Sequence, residues 1–330
     1  MKIIIRRVVA HYLVNLAIFG MFFAVYVLHS YYANLLRAET LTVFRFLFLG
    51  YLILGIPYYF FRFRFFTTEA DYQKDKLVVL YGFIFHKNRS PEISSAAKTA
   101  ALSYVVKFFF LPLMLNFFFS HTQNILAAWK GMDIHQSFFS FFWQSGYHLI
   151  FNLIFVIDTF VFAFAYAFEF RFLHNRIKSV DPFISGWVVA LICYPPFNSS
   201  IDNFIPLLKN SSWLSDGWLL DALKIGILLA FGVYVWATLA LGFKASNLTN
   251  RGIVSRGPYR FIRHPAYLAK NLAWWFEFLP FLNPALLLSL LAWNVIYIFR
   301  ALTEERHLRL DPDYLEYQKK VRWKFIPKVF

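Results

Sequence analysis

Residues 252–271 read GIVSRGPYRFIRHPAYLAKN, and residues 304–327 read EERHLRLDPDYLEYQKKVRWKFIP. Between the charged parts of these stretches lie two apolar arms of 17 residues each, Ala266–Leu282 and Ala285–Ala301. The two residues that separate the arms, Asn283 and Pro284, are typical of a turn. The pattern predicts a hairpin of two transmembrane helices that is flanked on both sides by polar clusters.

Each arm would rise about 25 Å as an α-helix, at roughly 1.5 Å per residue. Because the arms are equal in length, the chain would enter the membrane and return to the side from which it came. Arg263–Tyr267 should therefore lie beside Arg300–Glu305. Two clusters of histidine, arginine and carboxylate side chains would meet at one boundary between water and lipid.

The composition of the 330-residue chain indicates a membrane protein. It is 59% hydrophobic and only 15% charged, whereas soluble domains carry about 25% charged residues. Several segments are long enough and apolar enough to cross a bilayer. We therefore expect an all-α, polytopic bundle of about eight transmembrane helices, with a C-terminal hairpin and an interfacial tail on the cytoplasmic side.

The predicted organisation has two parts. Residues 1–244 form an N-terminal transmembrane scaffold, in which a polar segment, 62–98, contains an apolar run, Leu77–Phe85, that is too short to span. Residues 245–330 form the hairpin and the tail. The predicted spans are Val8–Tyr32, Leu41–Phe61, Thr99–Phe119, Phe138–Phe168, Phe183–Phe197, Trp218–Phe243 and the two hairpin arms.

The net charge of +15 has a membrane explanation. When the N-terminus is placed in the cytoplasm, 27 of the 33 lysines and arginines fall in cytoplasmic segments, as the positive-inside rule requires. We therefore expect both termini and both polar clusters in the cytoplasm. Membrane lipids, rather than nucleic acid, are the partners that this charge pattern predicts.

The motifs RHPAY at 263–267, EE at 304–305 and YLEY at 314–317, followed by Pro327, resemble the integral-membrane methyltransferases. This family includes isoprenylcysteine carboxyl methyltransferase and phospholipid N-methyltransferases. The resemblance extends from Ala245 to the C-terminus. One departure is Ala269, because the family pattern usually has glycine two residues after the tyrosine. The resemblance implies S-adenosylmethionine as cofactor and a lipophilic or lipidated acceptor that enters from the bilayer.

The resemblance also implies which residues bind the cofactor. Arg263 and His264 offer donors for its carboxylate, while Glu304 and Glu305 offer acceptors for its ammonium group or ribose hydroxyls. Aromatic rings would contact the adenine or the sulfonium, and the candidates are Tyr267, Tyr314, Tyr317 and Trp323. Simpler explanations exist, since arginines flank membranes, glutamates form helical ion pairs and tyrosines line interfacial helices.

The acceptor is left open between two chemistries. A carboxylate is already ionised and needs only orientation, for which Arg300 and Arg260 are the candidates. An amine must first lose a proton, and Glu304 or Glu305 is the candidate base. No set of histidine, cysteine or carboxylate residues has metal-ligand spacing, so no metal is expected.

Two other functions are weighed against methyl transfer. A membrane reductase of the sterol reductase type would bind a nicotinamide cofactor, but its tail carries a tryptophan- and cysteine-containing pattern that is absent here. A transporter or other non-enzymatic membrane protein would be favoured by inverted repeats or paired broken helices, and the sequence contains neither. The predicted function is methyl transfer to a lipophilic acceptor, with carboxylate O-methylation preferred.

Overall fold

The computed structural model describes residues 1–85, 91–132, 137–170, 172–209, 212–214 and 217–329. The chain divides into two compact units, Met1–Phe119 and Ser120–Phe330, and the division falls inside one long helix. Both units are built from helices, so the predicted all-α class is confirmed. The predicted boundary at residue 244 between scaffold and hairpin is a functional division and stays a prediction.

The first unit is organised by two long helices that pack along their length. Tyr59 and Phe63 near the end of the second long helix pack on Val8, while Leu41 and Phe44 near its start lie in a cluster with Tyr26. The two helices are therefore antiparallel. The helices of this unit are α1 (Lys2–Leu28), α2 (Ser30–Leu35), α3 (Ala38–Phe61), α4 (Glu69–Gln73), α5 (Lys76–Phe85) and the first part of α6 (Pro91–Lys130).

A buried polar cluster attaches the segment after α3 to α1. The Nε2 atom of His11 lies 3.1 Å from the carboxylate of Asp75, and Arg62 donates to the other carboxylate oxygen at 2.7 Å. Burial alone would raise the pKa of Asp75, but the hydrogen bond from His11 and the charge of Arg62 lower it to about 2. The short apolar run predicted at Leu77–Phe85 is confirmed as α5, whereas residues 86–90 of the predicted segment lie outside the described residues.

The second unit contains the predicted hairpin. Its remaining elements are α7 (Phe138–Phe141), α8 (Tyr147–Ala167), β1 (Ser179–Val180), α9 (Ile184–Leu191), α10 (Phe197–Asp202), α11 (Trp218–Leu241), β2 (Thr249–Asn250), α12 (Pro265–Phe278), α13 (Pro284–Leu308) and α14 (Pro312–Lys320). A short 3-10 segment, Leu279–Phe281, prolongs α12. The side chain of Asn283 accepts a hydrogen bond from the backbone of Leu286 at 3.0 Å and so caps α13, which is the turn that Asn-Pro predicted.

Among the described residues, six helices are long and apolar enough to span a membrane, whereas about eight were predicted. The chain is thus a multi-pass membrane protein with fewer full-length spanning helices than the sequence suggested. The predicted span Phe183–Phe197 is an eight-residue helix, α9, followed by the turn at Pro195 and Pro196. The first hairpin arm, α12, has 14 residues because the chain changes to 3-10 geometry around Pro280. Proline removes a backbone donor and clashes with the preceding turn, so it ends helices.

The broken segment nevertheless runs between the two ends of the second unit. At one end Ser179 pairs with Asn250 in a two-residue antiparallel ladder. At the other end the backbone of Trp213 donates to Pro280 at 3.0 Å, and Lys209 forms an ion pair of 2.9 Å with Glu277, beside the hairpin turn. Between these contacts the described residues form the short helices α9 and α10 instead of the one predicted helix.

Gly257 provides a test of how the turn before the hairpin packs on α11. Its φ is +59°, and a Cβ atom at this position would lie 2.8 Å from the Cβ of Ala240. We expect Gly257→Ala to lower the free energy of unfolding by about 1–3 kcal/mol. The measurement is the thermal unfolding midpoint of the detergent-solubilised protein.

The control for this prediction is Gly232→Ala. An added Cβ at Gly232, inside α11, has no neighbour within 4 Å, so its midpoint should stay at or slightly above the wild-type value. Equal midpoints for the Gly257→Ala variant and the wild type would contradict the tight packing of this turn.

Candidate functional site

Glu305 on α13 is the centre of a hydrogen-bond network. Its carboxylate is bonded to two arginines, a histidine and a glutamine. Only 1% of Glu305 is exposed. One carboxylate oxygen accepts from Nε of Arg263 at 2.7 Å and lies 3.1 Å from Nε2 of His264. The other accepts from Arg309 at 3.2 Å and Gln318 at 3.3 Å. A buried carboxylate needs such compensation, because leaving it unpaired would be costly.

The same arginine and histidine fasten the C-terminal tail to the hairpin. Nη1 of Arg263 donates to the carbonyl oxygens of Val321 at 2.8 Å and Arg322 at 2.6 Å. The backbone N–H groups of Arg263 and His264 donate to the carbonyls of residues 323 and 324, both at 2.9 Å. The start of α12, the end of α13 and the tail are therefore held together by one set of hydrogen bonds. The equal lengths of the hairpin arms predicted the meeting of the first two, but not the attachment of the tail.

A second chain of contacts runs through Tyr267. Its hydroxyl donates to Oε2 of Glu304 at 2.6 Å and accepts from Nε of Arg300 at 3.1 Å. Nη2 of Arg300 also donates to Oδ1 of Asn247. Arg300 is only 8% exposed, and both of these hydrogen-bond acceptors are neutral groups. The tyrosine hydroxyl thus links a buried cation to a carboxylate without a direct ion pair.

These side chains line a recess in the second unit that three separate parts of the chain form. Residues of the hairpin make one wall, residues 246–249 make the second, and the segment of β1 and α9 makes the third. The lining comprises Asp181, Gly186, Ala190, Ser246, Asn247, Leu248, Thr249, Tyr267, Arg300, Thr303, Glu304, His307 and Leu308. Cationic, anionic, hydroxyl and apolar groups therefore converge on one space.

Several lining residues have no counterpart in the sequence analysis. Asp181 is 1% exposed, and its carboxylate lies so close to Gly186 that a Cβ there would be 1.9 Å from Oδ2. The Nε2 atom of His307 lies 2.9 Å from Oγ of Ser179. No motif connects residues 179–190 with residues 246–249, which are brought together by the β1–β2 ladder. Of these residues, only His307 could have been identified as a candidate from the sequence, because it lies two residues after the EE motif.

Six of the nine predicted site residues do not line the recess. Arg263, His264 and Glu305 belong to the network around Glu305 instead, and the other three lie elsewhere. Tyr314 and Tyr317 of α14 pack in a buried cluster with Val321, and the hydroxyl of Tyr317 donates to the carbonyl of Tyr259 at 2.7 Å. Burial raises the pKa of both phenols, so they are neutral near neutral pH. Arg260 is exposed, and its guanidinium lies 5.0 Å from the centroid of the Phe261 ring. Roles for these residues in binding or catalysis stay predictions. Within the described residues no group of three potential metal ligands occurs.

The Glu305 network should carry much of the stability of the tail. Glu305→Ala leaves Arg263 buried without its carboxylate, and removal of one member of a buried pair costs about 3–5 kcal/mol. We expect a lower thermal midpoint and faster tryptic cleavage at Lys319 and Lys320. Glu316→Ala, which removes an exposed partner of Lys319, should change neither value. Similar cleavage of both variants would contradict the role of Glu305.

Comparison with known proteins agrees with this geometry. Residues 223–310 match the family model for phospholipid methyltransferases. The matched stretch includes most of α11, the hairpin and both charged motifs, and it confirms the resemblance carried by RHPAY and EE. No curated protein and no solved structure matches the chain. Residues 223–310 therefore form a phospholipid methyltransferase domain, which belongs to a family of membrane enzymes that use S-adenosylmethionine.

Proposed function

We propose that the protein transfers the methyl group of S-adenosylmethionine to a lipophilic acceptor, and that the accepting atom is a carboxylate oxygen. The observation that carries this choice is the environment of Arg300. Its guanidinium is buried in the recess, and the two groups that accept its hydrogen bonds, Tyr267 and Asn247, are neutral. A buried guanidinium of this kind favours an anionic ligand, because a bidentate carboxylate would complete its charge-assisted bonds.

The chemistry of the recess fits the cofactor. S-adenosylmethionine supplies a methyl group on a positively charged sulfur, and it carries an amino-acid end, a ribose and an adenine. Glu304 and Asp181 would accept hydrogen bonds from the ammonium group and the ribose hydroxyls, and Ser246 and Thr249 add hydroxyl groups. Leu248, Leu308 and Ala190 are the apolar surfaces available to the adenine.

The predicted cofactor ligands Arg263, His264 and Glu305 receive a modified role in this proposal. These three side chains bond to one another and to the tail, which leaves few free donors and acceptors for a ligand. We therefore assign them to positioning. They hold the tail and the start of α12 where Tyr267 and Glu304 reach the recess. Of these five residues, Tyr267 and Glu304 are the ones expected to contact the cofactor.

The chain contributes orientation rather than proton transfer when the acceptor is a carboxylate. Arg300 would hold the carboxylate, and Tyr267 would fix Arg300 relative to Glu304. One oxygen of the acceptor forms the new O–C bond while the S–C bond breaks, and the sulfur keeps the electron pair. No proton moves, so no base is required. Holding both reactants in the orientation for direct transfer would supply most of the acceleration.

An amine acceptor is the second candidate, and one observation favours it. Glu304 lines the recess. Among the described residues, the one hydrogen bond to its carboxylate comes from Tyr267, at Oε2, so Oε1 would be available to remove a proton. The family model that matches is named for phospholipids, whose headgroups include amines. The reductase and transporter alternatives lose support from the same match. We further propose that both termini face the cytoplasm, because the charge distribution favours this orientation.

Binding of S-adenosylmethionine to the detergent-purified protein tests the cofactor assignment. We expect a dissociation constant of about 1–100 μM, as is common for enzyme ligands. Glu304→Gln should weaken binding about 10- to 100-fold through loss of a charged acceptor, and His264→Ala should weaken it by disturbing the tail. Glu316→Gln, on the exposed face of α14, should bind normally. Binding of a nicotinamide dinucleotide instead would support the reductase, and binding of neither would refute the enzyme assignment.

The same Glu304→Gln variant distinguishes the two acceptors once the cofactor is saturating. If the acceptor is a carboxylate, the methyl transfer rate should fall less than about 10-fold and keep the wild-type pH dependence, since no general base acts. If Glu304 is the base for an amine, the rate should fall about 100- to 10,000-fold. Single-turnover transfer of a labelled methyl group into lipid extracts gives this rate.

A further inference from the structure

Lys270 is a second cation near the recess that the sequence analysis did not assign. It lies on α12, one helical turn after Tyr267. Its Nζ atom is 5.2 Å from the ring centroid of Trp274 and 5.5 Å from that of Tyr297. Among the described residues it makes no hydrogen bond and no ion pair within 4.0 Å, and its electrostatic neighbours include Arg300 and Asp158. A lysine in such surroundings inside a helix bundle is costly, and ionisable groups of this kind generally serve a ligand or a pathway.

Arg300 shares these aromatic neighbours. Its Cζ atom lies 5.2 Å from the ring centroid of Tyr267, 5.6 Å from that of Tyr194 and 5.9 Å from that of Tyr297. Both cations are thus within 6 Å of the same ring, Tyr297. Aromatic rings stabilise cations by their quadrupole, which allows two positive charges to remain close together in an apolar region.

The carboxylates in the neighbourhood do not neutralise this pair directly. Asp158 is buried and interacts electrostatically with Lys270, but no ion pair within 4.0 Å joins the two among the described residues. The two oxygens of Asp158 accept hydrogen bonds from Tyr234 at 3.1 Å and Thr238 at 2.6 Å. Glu304 reaches Arg300 only through the hydroxyl of Tyr267. Two cations therefore converge on a region that lacks a directly bonded anion among the described residues.

We propose that Lys270 and Arg300, between the rings of Tyr194 and Tyr297, form a subsite for the oxyanion of the acceptor lipid. The inference rests on the proposed function and adds to it a second residue that recognises the negative charge of the substrate. Arg300 lines the recess and would contact the reacting end. Lys270 lies one turn deeper and would neutralise the remaining negative charge. Tyr194 lies outside the matched residues 223–310, so part of this selectivity comes from the upstream segment.

The oxyanion has two possible sources with the same recognition chemistry. It is either the carboxylate that receives the methyl group or a phosphate that belongs to the lipid headgroup. In the first case a methyl ester and S-adenosylhomocysteine are the products. A lipid carboxylate and a lipid phosphate each carry negative charge at the polar end of an apolar chain. Probes that share one chain and differ only in the end group therefore distinguish the two sources.

The test is equilibrium binding of fluorescent C16 chains to the full-length protein in detergent. The probes end in a carboxylate, a phosphate monoester, a neutral primary amide or a primary amine. We expect the carboxylate or the phosphate to bind about 10- to 100-fold more tightly than the amide, as for a desolvated charge pair. Lys270→Met should remove most of this preference, and Lys270→Arg should retain it. A tighter carboxylate identifies an acid as acceptor, whereas a tighter phosphate identifies a phospholipid headgroup.

Controls separate charge recognition from packing. Lys224→Met removes another lysine beside an aromatic ring, 5.2 Å from the centroid of Trp143, and should leave the preference unchanged. The proposal is overturned if Lys270→Met weakens all four probes equally, or if the amine binds more tightly than the carboxylate and the phosphate. Binding of S-adenosylmethionine to the wild type is measured in parallel. If the wild type does not bind it, the proposed function is refuted, whereas the preference for the anionic probes can still be observed. The two failures are therefore distinguishable.

Discussion

A carboxylate that is almost inaccessible to solvent, Glu305, requires compensating donors, and the way in which the chain supplies them organises the second unit. Arg263 and His264 come from the start of α12, and Arg309 and Gln318 come from the end of α13 and from α14. Because removal of Arg263 or Glu305 leaves the other charge buried and unpaired, the elements that carry them are held in one arrangement. The recess depends on that arrangement, because two residues that line it, Tyr267 and Glu304, are close in sequence to His264 and Glu305 of the network.

The two adjacent glutamates therefore have different tasks. The side chain of Glu305 points into a network that is already complete, and Glu304 points to Tyr267 and the recess. Consecutive residues on a helix are about 100° apart around its axis, so a pair of glutamates necessarily faces two directions. An EE motif of this kind joins a structural carboxylate to one that is available for a ligand.

The sequence was sufficient for the parts that follow from local pattern. Two apolar arms of equal length and an Asn-Pro turn correctly predicted a hairpin, and from it the meeting of Arg263 with Glu305. The helical length of the segment around Phe183–Phe197 was wrong, because apolar composition does not show where prolines interrupt a helix. Asp181 and Asn247 could not be found, since their proximity depends on a two-residue ladder between β1 and β2, and no spacing in the sequence reports that pairing.

The third wall of the recess has a consequence for how such an enzyme changes over time. The segment that contributes Asp181, Gly186 and Ala190 precedes the matched residues 223–310, so under the proposed function the methyltransferase domain does not enclose its whole site. The hairpin and the wall can therefore accumulate substitutions under separate selection. A lineage could acquire a new acceptor through the upstream segment while the hairpin stays the same. Proteins that share this domain need not share a substrate, and grafting the domain alone would not transfer one.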